Sequence, residues 1–152
     1  METSNLSEDV LGVGLDALVD TTLEFPNGLP GFPEARRFSV HPLATDMEPF
    51  CRLLSVDRDD IAFVVVPPGA LFPHYTVVID DEHVAQLGLA EPEDAVVLSI
   101  VTLAPPPTPP TVNLLGPLVV NRLTWVAAQV VQVQSDYGVA VPLVPSSASA
   151  GG

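Results

Sequence analysis

The stretch from Thr111 to Gln134, TVNLLGPLVVNRLTWVAAQVVQVQ, decides the fold. It holds three short runs, Val112 to Leu115, Leu118 to Val120 and Trp125 to Val133, dominated by β-branched and aromatic residues. Polar residues do not recur at helical spacing, so these runs suit pleated, half-buried strands. Gly116-Pro117 parts the first two runs. Proline cannot donate to a strand ladder, so the pair predicts a bend, a bulge or an exposed edge. Asn121 to Thr124 predicts a hairpin turn. The expectation is a curved antiparallel sheet, with no reaction implied by these residues.

Upstream of this stretch, Pro105-Pro106-Pro107-Thr108-Pro109-Pro110 predicts a stiff, extended connector. Ala95 to Leu103 is a long apolar strand. Asp80 to Leu89, DDEHVAQLGL, carries the one good helix signal: acids crowd its start, and Gly88 stands where a C-terminal cap belongs. Further back, strands are expected at Leu18 to Phe25, Arg36 to Val40, Phe50 to Val56, Ile61 to Val66 and Thr76 to Ile79. Ile61 to Val66 reads as apolar enough to be buried on both faces. Asn27-Gly28, between Pro26 and Pro30, predicts a tight turn with positive φ. Phe32 beyond it is either a core plug or an exposed contact. Residues 1–17 read as a flexible leader, 18–144 as one folded domain, and 145–152, rich in Ser, Ala and Gly, as a flexible tail.

Composition narrows the functional classes. The chain has 152 residues, enough for one domain burying about two-thirds of its unfolded surface. Nineteen acidic residues face five arginines and no lysine, for a formal charge of −14. Such a chain is repelled by nucleic acid and anionic lipid, and attracted to a basic partner. The plainer reading of the charge is solubility. No apolar run approaches the ~20 residues of a membrane span, and no basic-then-apolar leader opens the chain. The single cysteine, Cys51, excludes an intrachain disulfide and suits the cytoplasm. On a strand, with no His or acid nearby, it reads as a packed thiol.

Chemistry-bearing patterns are scarce. His41, His74 and His83 form no metal-ligand spacing, and no phosphate-binding or nucleophile motif is present. No cofactor is expected. Asp57, Asp59, Asp60, Asp80, Asp81 and Glu82 fall in turn-like clusters where solvation is the ordinary state.

Four stretches in order carry a resemblance: Phe25-Pro-Asn-Gly-Leu-Pro-Gly-Phe32; Pro49-Phe50 through Ser55, leading to Asp60-Ile-Ala-Phe-Val64; Phe72-Pro-His-Tyr75; and Asn113-Leu-Leu-Gly-Pro-Leu-Val-Val-Asn121 with Gln129-Val-Val131. Together, over residues 18 to 143, they resemble the flagellar assembly factor FliW family. The resemblance implies an all-β, mainly antiparallel, small β-barrel-like domain with one short helix and no catalytic activity. It implies two cytoplasmic partners: flagellin before export, and CsrA, a basic RNA-binding regulator that represses flagellin translation and that the family antagonises. The chain departs from the family pattern at Leu54, where Gln is common, at His74, where an acid is common, and at Asn121 to Thr124, often lysine-rich.

Candidate contact residues follow. Phe72, His74 and Tyr75 form a proline-anchored aromatic loop that offers area at low entropic cost, with core packing the alternative for Phe72 and Tyr75. Asn113, Leu114 and Pro117 come from the family motif, and Asn113 equally suits a strand-end backbone cap. Asp57, Asp59 and Asp60 are candidates for facing a basic partner. The competing class is a small-molecule-binding or catalytic β-barrel with an aromatic-lined pocket.

Overall fold

Period-two burial builds this molecule, and it is clearest where two strands lie between two cores. In the computed structural model, which describes residues 4–6, 20–29, 31–42, 50–58, 60–72, 75–103, 107–132 and 137–142, these strands are β7 (Ala95–Thr102) and β9 (Leu118–Asn121). Val96, Leu98, Leu118 and Val120 point into one apolar cluster, with Leu23, Phe25, Phe38 and Leu53. Ala95, Val97, Val101 and Val119 point into a second, with Tyr75, Val77, Ile79 and Leu87. Because successive side chains face opposite sides, a strand between two cores is apolar on both faces, and β7 and β9 depart from this only at Ser99, Thr102 and Asn121. That is why these two runs show no alternation in sequence. Truncating a fully buried leucine such as Leu98 or Leu118 to Ala carries a cost of about 2–5 kcal/mol.

The remaining strands are β1 (Ser4–Leu6), β2 (Thr22–Glu24), β3 (Arg37–Pro42), β4 (Cys51–Ser55), β5 (Ala62–Val66), β6 (Val77–Ile79), β8 (Thr111–Val112), β10 (Ala127–Gln129) and β11 (Val141–Pro142). The main sheet runs β10-β9-β7-β5-β4-β3-β2, every neighbouring pair antiparallel. Its two ends meet where the Glu24 N–H donates to the Trp125 carbonyl at 2.8 Å and Glu24 bridges Val126 in parallel. The sheet is thus a nearly closed barrel, as expected. β8 pairs with β7 ahead of β9, and β11 pairs with β8.

The Gly116-Pro117 break lies between β8 and β9, both of which pair with β7. The register slips there because Leu114 to Pro117 loop out, after Asn113 has donated its amide to the Ile100 carbonyl at 2.9 Å. Asn113 Oδ1 accepts the Leu115 and Gly116 amides at 3.0 and 2.9 Å. A Cβ at Gly116 would stand 2.5 Å from Gln129 Nε2, which donates to the Gly116 carbonyl at 2.9 Å, so a side chain there would have to displace that amide.

Among the described residues the one α-helix, α1, is Asp81–Leu87. Asp80 caps its N-terminus by accepting the His83 amide at 2.8 Å. Gly88, at φ 68°, ends it in the left-handed conformation. Asn121 then locks helix to sheet: its Nδ2 donates to the Leu87 carbonyl at 2.8 Å while its Oδ1 accepts the Leu123 amide of the β9–β10 turn at 2.8 Å.

Some expectations need correction. β5 is buried on both faces only at Val65 and Val66, since Ala62 is exposed and Phe63 and Val64 are half-buried. Among the described residues, the last run of the 111–134 stretch yields three strand residues, which begin only after Trp125 takes φ 65° to complete the hairpin turn. Within the expected leader, Ser4–Leu6 forms a strand against β6.

Candidate partner-binding surfaces

Two of the sequence-derived residue sets meet. Tyr75 is buried, and its O–H donates to the Leu114 carbonyl at 2.6 Å. Its ring lies 4.5 Å from that of Tyr137, whose hydroxyl accepts the Thr76 amide at 3.1 Å. Burial, then the neighbouring Tyr137, pushes the Tyr75 phenol far up, so it remains a donor at any ordinary pH. Leu114 is itself buried, and Pro117 is buried with its carbonyl accepting the Val130 amide. Tyr75, Leu114 and Pro117 therefore pack and brace this region instead of presenting side chains outward, and Asn113 caps the loop between β8 and β9. Phe72 is half-buried against the second core, beside exposed Leu71. His74 lies outside the described residues.

The acidic turn is elsewhere, between β4 and β5, and it is heavily compensated. Asp57 pairs with Arg37 at 3.0 Å and also accepts the Arg36 and Arg37 amides, each at 3.2 Å. The Arg37 side chain, helped by the Arg36 amide, holds the Asp57 carboxyl below the usual range. Asp60 pairs with Arg58 at 2.8 Å, and that guanidinium likewise lowers the Asp60 carboxyl. Three of the five arginines stand at this turn or beside it. Asp59 lies outside the described residues.

Further acid lies around α1, where Asp80 pairs with His83 at 2.8 Å. Asp80, Asp81, Glu82, Glu91 and Glu93 flank α1 and the 3-10 turn Pro92–Asp94, while the Asp94 side chain is held by Arg122 at 3.4 Å. Among the described residues, no arginine forms an ion pair with Glu82, Glu91 or Glu93. The sequence shows these carboxylates, but not that Arg37 of β3 reaches Asp57 in the β4–β5 turn.

A groove of about 360 Å³ lies between the Asn27–Pro33 turn, α1 and β10, lined by Gly28, Leu29, His83, Gln86, Ala127 and Gln129 among others. Gly28, at φ 70°, lets the turn fold over the Phe32 and Pro33 carbonyls, which a Cβ would meet at 2.6 and 2.5 Å. Among the described residues its lining contains no carboxylate, and His83 is the one titratable side chain there. Nothing in the sequence marks this groove, because it exists only where β2 and β10 come together. Among the described residues, no group of three or more His, Cys, Asp or Glu is placed to hold a metal ion, and no helix is long and apolar enough to cross a membrane.

Comparison with known proteins matches residues 14–143 to the family described as FliW protein. A flagellar assembly factor FliW of Bacillus licheniformis is 39% identical over 118 residues, covering 78% of this chain and 82% of that protein. One from Heliobacterium modesticaldum is 38% identical over 135 residues, covering 89% and 88%. The one from Bacillus subtilis is 38% identical over 119 residues, covering 78% and 82%. A crystal structure of the flagellar assembly factor FliW superposes with a TM-score of 0.74 at 31% identity, over 82% of this chain and 86% of that one.

Proposed function

The chain belongs to the FliW family, and on that premise we propose that it is a non-enzymatic, cytoplasmic flagellar assembly factor that binds flagellin before export and antagonises CsrA. The family match over residues 14–143 carries this reading. Charge supplies a physical route for the second partner. A body at −14, docked on a basic RNA-binding protein, repels the RNA phosphate backbone and weakens the field that the protein's arginines and lysines present to it. Binding away from the RNA-contacting surface is enough, because the field of the acidic face adjoining α1 extends about a Debye length.

Contact, not chemistry, is the proposed mode of action. The half-buried Phe72 and exposed Leu71 supply apolar area beside the rigid Tyr75–Leu114 brace, and the carboxylates at α1 supply long-range attraction. Isothermal titration of the folded protein with flagellin and with CsrA of its own host tests the reading. Saturable binding to both supports it; absence of heat and of complex with both, at micromolar concentrations, overturns it.

A further inference from the structure

The barrel seam is closed at one point and open beyond it. β2 meets β10 at Glu24–Val126, and then the chain leaves β2 through Pro26 and Asn27 while β10 continues to Gln129. The parity of β10 shows which main-chain groups this leaves behind. The Val126 carbonyl accepts from Asn121, and the Val130 amide donates to Pro117, so even-numbered residues bond toward β9. The Trp125 carbonyl, with odd parity, accepts from Glu24 on the opposite side. Gln129 shares that parity. Its N–H and C=O therefore point away from β9, into the groove, where no described strand continues past Glu24. An open sheet edge of this kind is a template for one more strand.

We propose that this seam groove takes an extended, lysine- or arginine-bearing segment of a partner protein by strand addition along the Gln129 edge, a proposal that rests on the reading of the chain as a partner-binding factor. Strand addition takes affinity from main-chain hydrogen bonds and specificity from alternate side chains. The groove offers the first through Gln129, with the Gln86 and Asn27 amides close by. The second follows from charge: Asp80, Asp81 and Glu82 precede the lining residues His83 and Gln86 on α1, and Glu24 stands at the closed end of the seam. His83 Nδ1 is itself turned to Asp80 at 2.8 Å, so the groove's own titratable ring is held by a carboxylate. Cationic side chains on alternate positions of an added strand would face this acidic border while the intervening ones enter the groove.

The test uses the full chain, uniformly labelled with nitrogen-15, and a blocked octapeptide of alternating valine and lysine. The expected result is saturable binding with slowed hydrogen exchange at the Gln129 amide. Affinity should fall at least about tenfold when the peptide is N-methylated at alternate residues, which removes its ladder donors. A similar loss is expected with Gln129→Pro, which removes the edge donor, and with Gln86→Trp, which fills the groove from an exposed helical position and leaves both cores untouched. Equal binding of a valine–glutamate octapeptide, binding unaffected by N-methylation and by Gln86→Trp, or no binding overturns the proposal. So does Gln129 protection that appears on concentrating the protein alone, which would assign the edge to a second copy. Parallel titrations of the wild-type chain with flagellin and CsrA keep the two readings separable: if both bind while the octapeptide does not, only the seam assignment falls.

Discussion

The Tyr75 hydroxyl donates to the Leu114 carbonyl at 2.6 Å, joining positions thirty-nine residues apart in the chain. This bond ties the aromatic segment before β6 to the looped-out residues between β8 and β9, so two of the four stretches that carry the family resemblance are joined. Tyr75→Phe keeps the ring against Tyr137 and leaves the Leu114 carbonyl without its donor. The expected loss is about 1–3 kcal/mol in urea unfolding, with an unchanged denaturant slope. An unaltered midpoint would show that the bond adds nothing.

Ser99 predicts the opposite sign. It is fully buried on β7, and its hydroxyl has no hydrogen-bond partner among the described residues. Ser99→Ala removes an unpaired polar atom from between packed strands, so the midpoint should hold or rise by the equivalent of up to about 1 kcal/mol. A clear loss of stability would mean that the hydroxyl is satisfied in solution.

Asp80 links helix capping to pH. Burial pushes its carboxyl up, but the His83 amide and ring together outweigh this and hold it below its ordinary 3.8. A lowered carboxyl binds its proton more weakly in the folded state, so its contribution is complete above the ordinary value. It is lost as pH falls through the lower folded value. Asp80→Ala should therefore cost about 1 kcal/mol at neutral pH, and the gap from wild type should close as pH falls below the ordinary 3.8 and through the lower folded value. Thermal unfolding of both proteins across pH 2 to 7 checks the sign; a gap that widens in acid would refute it.

Charge placement separates two surfaces. Reversing Glu82 and Glu91 to Lys should weaken association with CsrA and flatten its dependence on salt, because no described arginine compensates them. Neutralising Asp57 and Asp60 should change the salt slope less and act first on stability, since Arg37 and Arg58 would lose their partners. A steeper loss from the second pair would return the role to the β4–β5 turn.

Much of the barrel was legible in particular residues. Gly116-Pro117 marked the slip between β8 and β9, the acids before His83 with Gly88 marked both ends of α1, and Asn27-Gly28 marked the positive-φ turn. These are local features, set by backbone chemistry within a few residues. The candidate site was less legible. Tyr75 and Leu114 look like surface contacts until the fold brings Tyr137 and the second core around them. Asp57 looks like free charge until β3 delivers Arg37 to it, and the seam groove needs the meeting of Glu24 with Val126, far apart in the chain. Long-range pairing decides burial and charge compensation, and no window of sequence contains it.

The most direct test of action by contact is fluorescence anisotropy of CsrA on its flagellin-transcript RNA, titrated with the folded protein and then with flagellin. The expected course is release of RNA as this protein is added, deeper at low salt, followed by recovery of RNA binding when flagellin captures it. CsrA that keeps its full affinity for RNA in the presence of excess folded protein would contradict it.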